Sequence, residues 1–216
     1  MITRITGTLT RVLDEEVRLQ VGAFEYQVLV PEFVRRAVQT KLGQELSLHT
    51  LHFLDGDPSR GKVIPRLVGF VSESELEFFE LFCTVDKIGT RKALKALARP
   101  VRDIADAIQR QDAKYLTTLP GVGGPTAEKI VATLKRKVTR YALAPKAAAR
   151  AEANGEAAEE PAPTAVVEGN VLEEAYEALV ALGHSPMEAR NRLDRVLSSG
   201  KAFTSAEEVL RIIYNK

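Results

Sequence analysis

The first 71 residues carry apolar and polar side chains in short alternating runs, which is the period-two pattern of β-strands. We expect strands at residues 2–13, 17–21, 24–30, 46–54 and 63–71. Residues 31–42 instead have apolar side chains at helical spacing after Pro31, which suits the first turn of a helix. Five short strands with one helix predict a small closed barrel of the oligonucleotide-binding type.

From residue 72 the apolar spacing changes to that of amphipathic helices. Ser72 and Glu75 have the spacing of a capping box, so a helix is predicted at residues 73–82. Further helices are predicted at residues 101–109, 112–118 and 126–140. Cys83 is the only cysteine, so it can form no intrachain disulfide, and we expect it in the core of this helical region.

One turn between these helices has the composition of a helix-hairpin-helix. In the segment Leu119-Pro120-Gly121-Val122-Gly123-Gly124-Pro125-Thr126, a proline ends one helix, two glycines flank an apolar residue, and a new helix begins. Gly121 and Gly123 can take backbone angles closed to other residues and let a phosphate come close, and Val122 is expected to anchor the turn in the core. The amides at the start of the next helix then form an anion site that holds a nucleic-acid backbone without reading bases.

A second turn of the same layout lies 34 residues earlier. Residues 84–94 contain the apolar anchor Ile88, then Gly89, then a basic amphipathic helix. A single Pro-Gly-x-Gly is as often an ordinary tight turn between packed helices. A tandem copy favours a repeated unit whose two hairpins straddle one duplex.

The net charge of +1 conceals an uneven distribution along the chain. Residues 1–143 contain 22 basic and 17 acidic residues, a net +5, whereas residues 144–216 contain 8 and 12, a net −4. Residues 87–140 alone contain 13 basic and 4 acidic residues, a net +9. A run of charged residues is usually just a solvent-exposed face. This run coincides with two turns suited to binding phosphate, and so favours nucleic-acid binding.

The composition changes at Ala144. Residues 144–168 consist mainly of Ala, Glu and Pro, so they predict a flexible acidic linker. Apolar residues then recur at helical spacing in three segments that begin near Val171, Ser185 and Ser205. A small three-helix bundle that, together with its linker, carries a net charge of −4 is unsuited to DNA contact and favours a protein partner.

Several other classes of protein are disfavoured. No segment approaches the length of a membrane span or the apolar run of a signal peptide, so we expect a cytoplasmic protein. The segment from Gly56 to Lys62 lacks the hydroxyl residue and the following helix of a phosphate-binding P-loop. His49 and His52 would face opposite sides of a strand, so no metal site is expected, and no cofactor.

The order of parts resembles the RuvA family, the Holliday-junction-binding subunits of the RuvAB branch-migration complex. The resemblance covers essentially the whole chain. It is carried by residues 119–123 with 126–128, by Val68-Gly69-Phe70, and by residues 177–183 followed by Pro186. It implies an α+β multidomain protein: a five-stranded barrel (1–71), a tandem helix-hairpin-helix domain (72–143), a linker (144–168) and a UBA-like three-helix bundle (169–216).

The resemblance also implies a function and its residues. Family members are non-catalytic homotetramers that hold a four-way junction, recruit the hexameric ATPase RuvB and work with a RuvC-type resolvase. The sequence leaves open whether this chain forms a tetramer or an octamer. The DNA-binding residues would be Lys87, Ile88, Gly89, Arg91, Lys92, Gly121, Val122, Gly123, Gly124, Thr126 and Lys129. Asp55 and Asp57, expected on an exposed hairpin loop, would form an acidic pin that disfavours plain duplex. Leu179, Leu182 and His184 would contact the motor, with core packing as the alternative for the two leucines.

The sequence departs from the family pattern at both hairpins. Asp86-Lys87 stands where a glycine turn is usual, and Asp86 would repel a phosphate unless it caps the helix. Gly124-Pro125 stands where two basic residues are usual, and Pro125 offers neither an N–H nor a charge. We therefore expect weaker binding with a flatter salt dependence than in other members.

Two other functions compete with a junction-binding adaptor. DNA glycosylases also contain helix-hairpin-helix units, but they need a lysine in or beside the hairpin or an aspartate about twenty residues beyond it. Pro125 and the run 135–143 offer neither. A general duplex-binding scaffold that uses only the hairpins stays open, and competition between a four-way junction and a linear duplex separates it from the adaptor.

Overall fold

The structure, a computed structural model, describes residues 1–57, 61–143, 169–197 and 205–214. The predicted linker at residues 144–168 lies outside the described residues, as does the tip of the hairpin at 58–60. Within the described ranges, no helix is long and apolar enough to cross a membrane.

Five strands close into a barrel, as the alternating pattern predicts. They are β1 (Arg4–Val12), β2 (Glu16–Val21), β3 (Phe24–Leu29), β4 (Glu45–Asp57) and β5 (Lys62–Phe70). Their order around the barrel is β1-β2-β3-β5-β4, and every neighbouring pair is antiparallel except β3 with β5. Helix α1 (Glu32–Val38) and a 3₁₀ turn (Gln39–Lys41) connect β3 to β4.

The barrel interior consists of the apolar positions of each alternating strand. Leu9 lies opposite Leu19 on the neighbouring strand, and Val17 lies opposite Val28. All four side chains are fully buried. Because successive residues of a strand face opposite sides, this register directs the intervening polar residues outward.

Six helices follow the barrel and share its core. They are α2 (Glu73–Cys83), α3 (Thr90–Ala96), α4 (Val101–Gln109), α5 (Ala113–Thr117), α6 (Gly124–Leu134) and α7 (Thr139–Leu143). The predicted capping box of Ser72 and Glu75 begins α2. The Phe70 ring of β5 lies between those of Phe33 and Phe79, with centroids 6.4 and 5.1 Å away. These contacts fix the hairpin region relative to the barrel.

The single helix predicted at residues 126–140 is wrong. Helix α6 ends at Leu134, three exposed cations form a turn, and α7 begins at Thr139. The break lets α7 pack along α4, where Thr139 is only 3% exposed and Gln109 donates a hydrogen bond to its hydroxyl at 3.4 Å. The pattern missed this turn because Leu134 and Val138, which are both fully buried, have helical spacing across it.

The C-terminal residues form three helices, as predicted. They are α8 (Gly169–Ala181), α9 (Pro186–Leu197) and α10 (Ala206–Tyr214). The buried residues of their separate core are Val171, Ala175, Leu179, Ala189, Leu193, Val196 and Val209. Helix α8 lies against α7, and the side chain of Tyr176 hydrogen-bonds that of Gln109.

Candidate nucleic-acid interface

The two hairpins follow the same backbone path. Lys87 has a φ of +64° and Gly121 a φ of +76°, so each turn passes through the left-handed region. The next residues, Ile88 and Val122, are 3% and 4% exposed and anchor the turns in the core. In both, the amide of the buried residue donates to the carbonyl three residues earlier, at 3.0 and 3.1 Å. The repeat seen in the sequence is therefore a repeat in three dimensions.

Each hairpin ends in a glycine that caps the following helix. Gly89 (φ −88°, ψ 172°) precedes α3 and Gly123 (φ −93°, ψ 173°) precedes α6. Both backbones are extended, so of the two glycines flanking Val122 only Gly121 uses angles closed to other residues. Apart from the glycine's own chain neighbours, a Cβ at either position would meet no atom of the described residues within 4 Å. Space in front of amides that lack a side-chain cap suits an external acceptor such as a phosphate oxygen.

The two hairpins differ in the donors that they offer. Pro125 lies in the first turn of α6 and has no N–H, whereas all the first-turn residues of α3 have one. The first turn of α3 also contains Arg91 and Lys92, two cations that α6 lacks at this position. The first hairpin therefore has the stronger potential contact with a phosphate.

The hairpins also contact each other. Lys129 Nζ on α6 lies 2.6 Å from Asp86 Oδ2 in the first hairpin, and this hydrogen bond holds the pKa of Asp86 below its usual value. Asp86 therefore does not cap α3, whose N-cap is Gly89. Lys92 Cγ lies 4.0 Å from the position of a Cβ on Gly121. The two turns thus form one continuous surface.

Lys87 is strained in the position that glycine occupies in the second hairpin. A left-handed backbone costs a residue with a Cβ about 1–2 kcal/mol, and strain of this kind is found at functional sites. Its side chain is exposed beside the first N-cap glycine. A lysine at this point supplies a charge that glycine cannot.

We expect Lys87→Gly to stabilise the chain and weaken its DNA binding. Relief of the strain, partly offset by greater freedom of the unfolded chain, should stabilise the fold by about 0.5–1 kcal/mol and raise Tm by about 2 °C. Loss of one phosphate contact per chain should reduce the salt dependence of binding by about one unit. Gln111→Gly is the control, since Gln111 has a φ of +59° outside the hairpins. Unchanged binding by Lys87→Gly would show that the lysine does not reach DNA.

The structure corrects the expected exposure of Asp55. Asp55 and Asp57 belong to β4 rather than to a loop. The Asp55 carboxylate is 15% exposed and accepts hydrogen bonds from Arg91 Nη2 at 2.5 Å and Arg66 Nε at 2.8 Å. The bond from Arg91, aided by Arg66, lowers the pKa of Asp55. Asp55 therefore ties the β4–β5 hairpin to α3, whereas the side chain of Asp57 lies outside the described set.

A cleft of about 890 Å³ separates the barrel from the hairpins. Glu16, Gln27 and Arg66 line its barrel side, and Lys92 and Gly121 line its hairpin side. Arg66 and Arg91, which both line this cleft, hold the Asp55 carboxylate, so Asp55 lies close to the hairpin side of the molecule. This position makes the β4–β5 hairpin part of the candidate interface.

The positive charge of residues 87–140 is divided between two places. Lys135, Arg136 and Lys137 are exposed after the C-terminal end of α6. Gly123 lies at the other end of this 11-residue helix, so about 16 Å separates the two groups along its axis. Only part of the net charge of +9 in residues 87–140 therefore lies at the hairpins.

The described residues contain no cluster of three His, Cys, Asp or Glu side chains placed to hold a metal ion. Burial raises the pKa of the Cys83 thiol to about 12, which leaves it unreactive.

The predicted motor-contact residues fall in different environments. Leu179 is fully buried in the core of the bundle, so the surface role expected for it is wrong and the alternative of core packing is right. Leu182 is 64% exposed. His184 Nε2 lies 2.7 Å from the Tyr214 hydroxyl, which joins the end of α8 to the end of α10.

Three further apolar side chains near these helix ends were missed by sequence reasoning. Val180, Ile212 and Tyr214 are 38%, 37% and 50% exposed. Their helical spacing made them resemble core positions. Like Leu182, they are exposed apolar positions near the ends of α8 and α10, where His184 contacts Tyr214.

Comparison with known families matches three separate parts of the chain. Residues 1–57 match the family described as RuvA N terminal domain, and residues 170–211 match RuvA, C-terminal domain. Residues 79–136 match the SAM-like Helix-hairpin-helix tandem. The matches thus include both hairpins, most of the barrel and most of the bundle.

Full-length relatives are similar as well. A protein of Rhodopirellula baltica is 42% identical over 216 residues, covering 100% of this chain and 99% of that protein. One from Desulfosudis oleivorans is 36% identical, with 88% and 85% covered, and one from Desulfatibacillum aliphaticivorans is 34% identical, with 99% and 98% covered. Each is named Holliday junction branch migration complex subunit RuvA.

Proposed function

The chain belongs to the RuvA family, and on that premise we propose that it is the non-catalytic, junction-binding subunit of a branch-migration complex. It binds four-way DNA junctions and recruits a hexameric ATPase of the RuvB kind, which moves the arms during DNA recombination and repair. One observation carries this proposal: two equivalent hairpins present open N-cap glycines side by side on one surface.

The hairpins suit the DNA backbone because they offer amides and cations without a base-reading element. Contacts of this kind position a duplex and carry no sequence information. A junction has no fixed sequence, so its recognition must come from shape. Two linked hairpins on each subunit, repeated by symmetry, hold several arms at fixed angles.

We further propose a homotetramer in which each subunit holds one arm, with a RuvC-type resolvase as another partner and the cytoplasm as the location. The domain boundaries proposed from the sequence, 1–71, 72–143, 144–168 and 169–216, fit these roles. The first two regions share one core and form the DNA-binding body, whereas the bundle has its own core. A separate core suits a domain that contacts the motor while the body holds DNA.

A titration of the full chain against a synthetic four-way junction and a linear duplex of equal length tests the proposal. We expect the junction to bind at least about tenfold more tightly, because only it engages all subunits at once. Both affinities should fall as salt is raised, since phosphates are neutralised. Equal affinity for the two DNAs would instead support the general duplex-binding scaffold.

A further inference from the structure

Each hairpin helix carries one cation that a carboxylate of another element already holds. Arg91 on α3 donates to Asp55 of β4, from Nη2 at 2.5 Å and from Nε at 3.0 Å. Lys129 on α6 donates to Asp86 of the first hairpin at 2.6 Å. Both cations belong to the set expected to contact DNA, so in the free protein two phosphate-binding groups are already neutralised.

The exposure of both cations allows their partners to be exchanged. Arg91 is 67% exposed and Lys129 46% exposed. Asp86 is 67% exposed, whereas Asp55 is 15% exposed and keeps Arg66 as a partner when Arg91 leaves it. Ion pairs in water contribute little net stability, so a phosphate can displace the carboxylate without a large loss. The bond from Lys129 also crosses from one hairpin to the other, so it lies on the surface that a duplex would cover.

We propose that Asp86 and Asp55 are stand-in partners for Lys129 and Arg91, which they hold whenever no phosphate is bound. They are positioning residues, because they act on DNA through the cations. The inference rests on the proposed junction binding. Entry of DNA exchanges a carboxylate for a phosphate, and departure of DNA restores the carboxylate.

The exchange has a consequence for moving DNA. A motor that draws duplex past the hairpins must break each phosphate contact repeatedly. A cation with a carboxylate within reach is never left unpaired between two phosphates, so each release is easier. The stand-in carboxylates therefore lower affinity and raise the dissociation rate.

Asp86→Asn is the test, because Asp86 is exposed and its replacement should not unfold the chain. We expect this variant to bind both a linear duplex and a junction about two- to fivefold more tightly at low salt, with slower dissociation. Glu128→Gln is the matched control, since Glu128 is exposed beside Lys129 and the change in net charge is the same. It should alter affinity by less than about twofold.

Asp86→Asn in a Lys129→Met background separates exchange of the Lys129 partner from simple repulsion of phosphate by Asp86. If Asp86 acts by holding Lys129, the gain from Asp86→Asn disappears in this background, because no lysine remains to be released. An equal gain in both backgrounds would mean that Asp86 only repels phosphate, and no gain in either would also overturn the inference. If the wild-type chain showed no preference for a junction, the proposed function would fail, and the duplex measurements would still decide this inference.

Discussion

Replacement of both N-cap glycines by serine, Gly89→Ser with Gly123→Ser, is expected to leave the fold intact and weaken junction binding about 100-fold. Serine caps a helix at least as well as glycine, and the extended backbone at both positions accepts it without strain. The free energy of unfolding should therefore be unchanged or slightly increased. The expected loss thus falls on DNA binding alone.

The loss of binding has two causes that act at the same atoms. The added Cβ lies in space where no atom of the described residues, other than the chain neighbours, comes within 4 Å, and this is the space assigned to the phosphate. The hydroxyl oxygen also accepts from first-turn amides that would otherwise donate to the phosphate. Loss of a hydrogen bond to a charged group weakens binding about tenfold at each hairpin, which gives about 100-fold for two.

Thermal unfolding and titration with a four-way junction, both on the full chain, check this prediction. Gly121→Ala provides a contrasting variant, because Gly121 has a φ of +76° and alanine should lose about 1 kcal/mol of stability there. The prediction thus assigns Gly121 to folding and Gly123 to DNA binding. Tight junction binding by the double serine variant would show that the phosphate lies elsewhere.

The sequence predicted the hairpins well because their signals are local. An apolar anchor between turn residues specifies the path at Ile88 and at Val122, and a tandem copy supports both. The left-handed backbone at Lys87 was not predicted, since lysine gives no signal for it. Ile88 has to reach a buried position equivalent to that of Val122 in the second hairpin. This requirement overrides the preference of lysine for a right-handed or extended backbone.

The sequence could not predict the partners of the charged residues. Asp55 and Arg91 are 36 residues apart, and Asp86 and Lys129 are 43 apart, so only the folded chain brings them together. The sequence showed that Asp86 is unsuited to a phosphate site, but it could not show that Lys129 neutralises this carboxylate. The length of β4 was underestimated for a related reason: its pairing with β5 continues through Asp57 opposite Lys62, beyond the apolar run.

Periodicity alone also could not separate the two leucines of the bundle. Leu179 and Leu182 are three residues apart and would both suit one helix face. Helix α8 ends at Ala181, and Gly183 has a φ of +93°, so the chain turns away at Leu182 and exposes it. The end of the helix therefore determines which leucine is available to a partner.

Leu182→Asp is accordingly expected to abolish stimulation of a RuvB-type ATPase while junction binding stays within about twofold of wild type. Leu182 is 64% exposed at the C-terminal end of α8, so the change should not unfold the bundle. A charge buried in an apolar contact weakens that contact at least about tenfold. Asn191→Asp, which adds the same charge at an exposed position of α9, should leave stimulation unchanged. Junction-dependent ATPase activity and co-precipitation with the ATPase measure the effect. Full stimulation by the leucine variant would place the motor contact elsewhere, and loss of junction binding would place the bundle on the DNA.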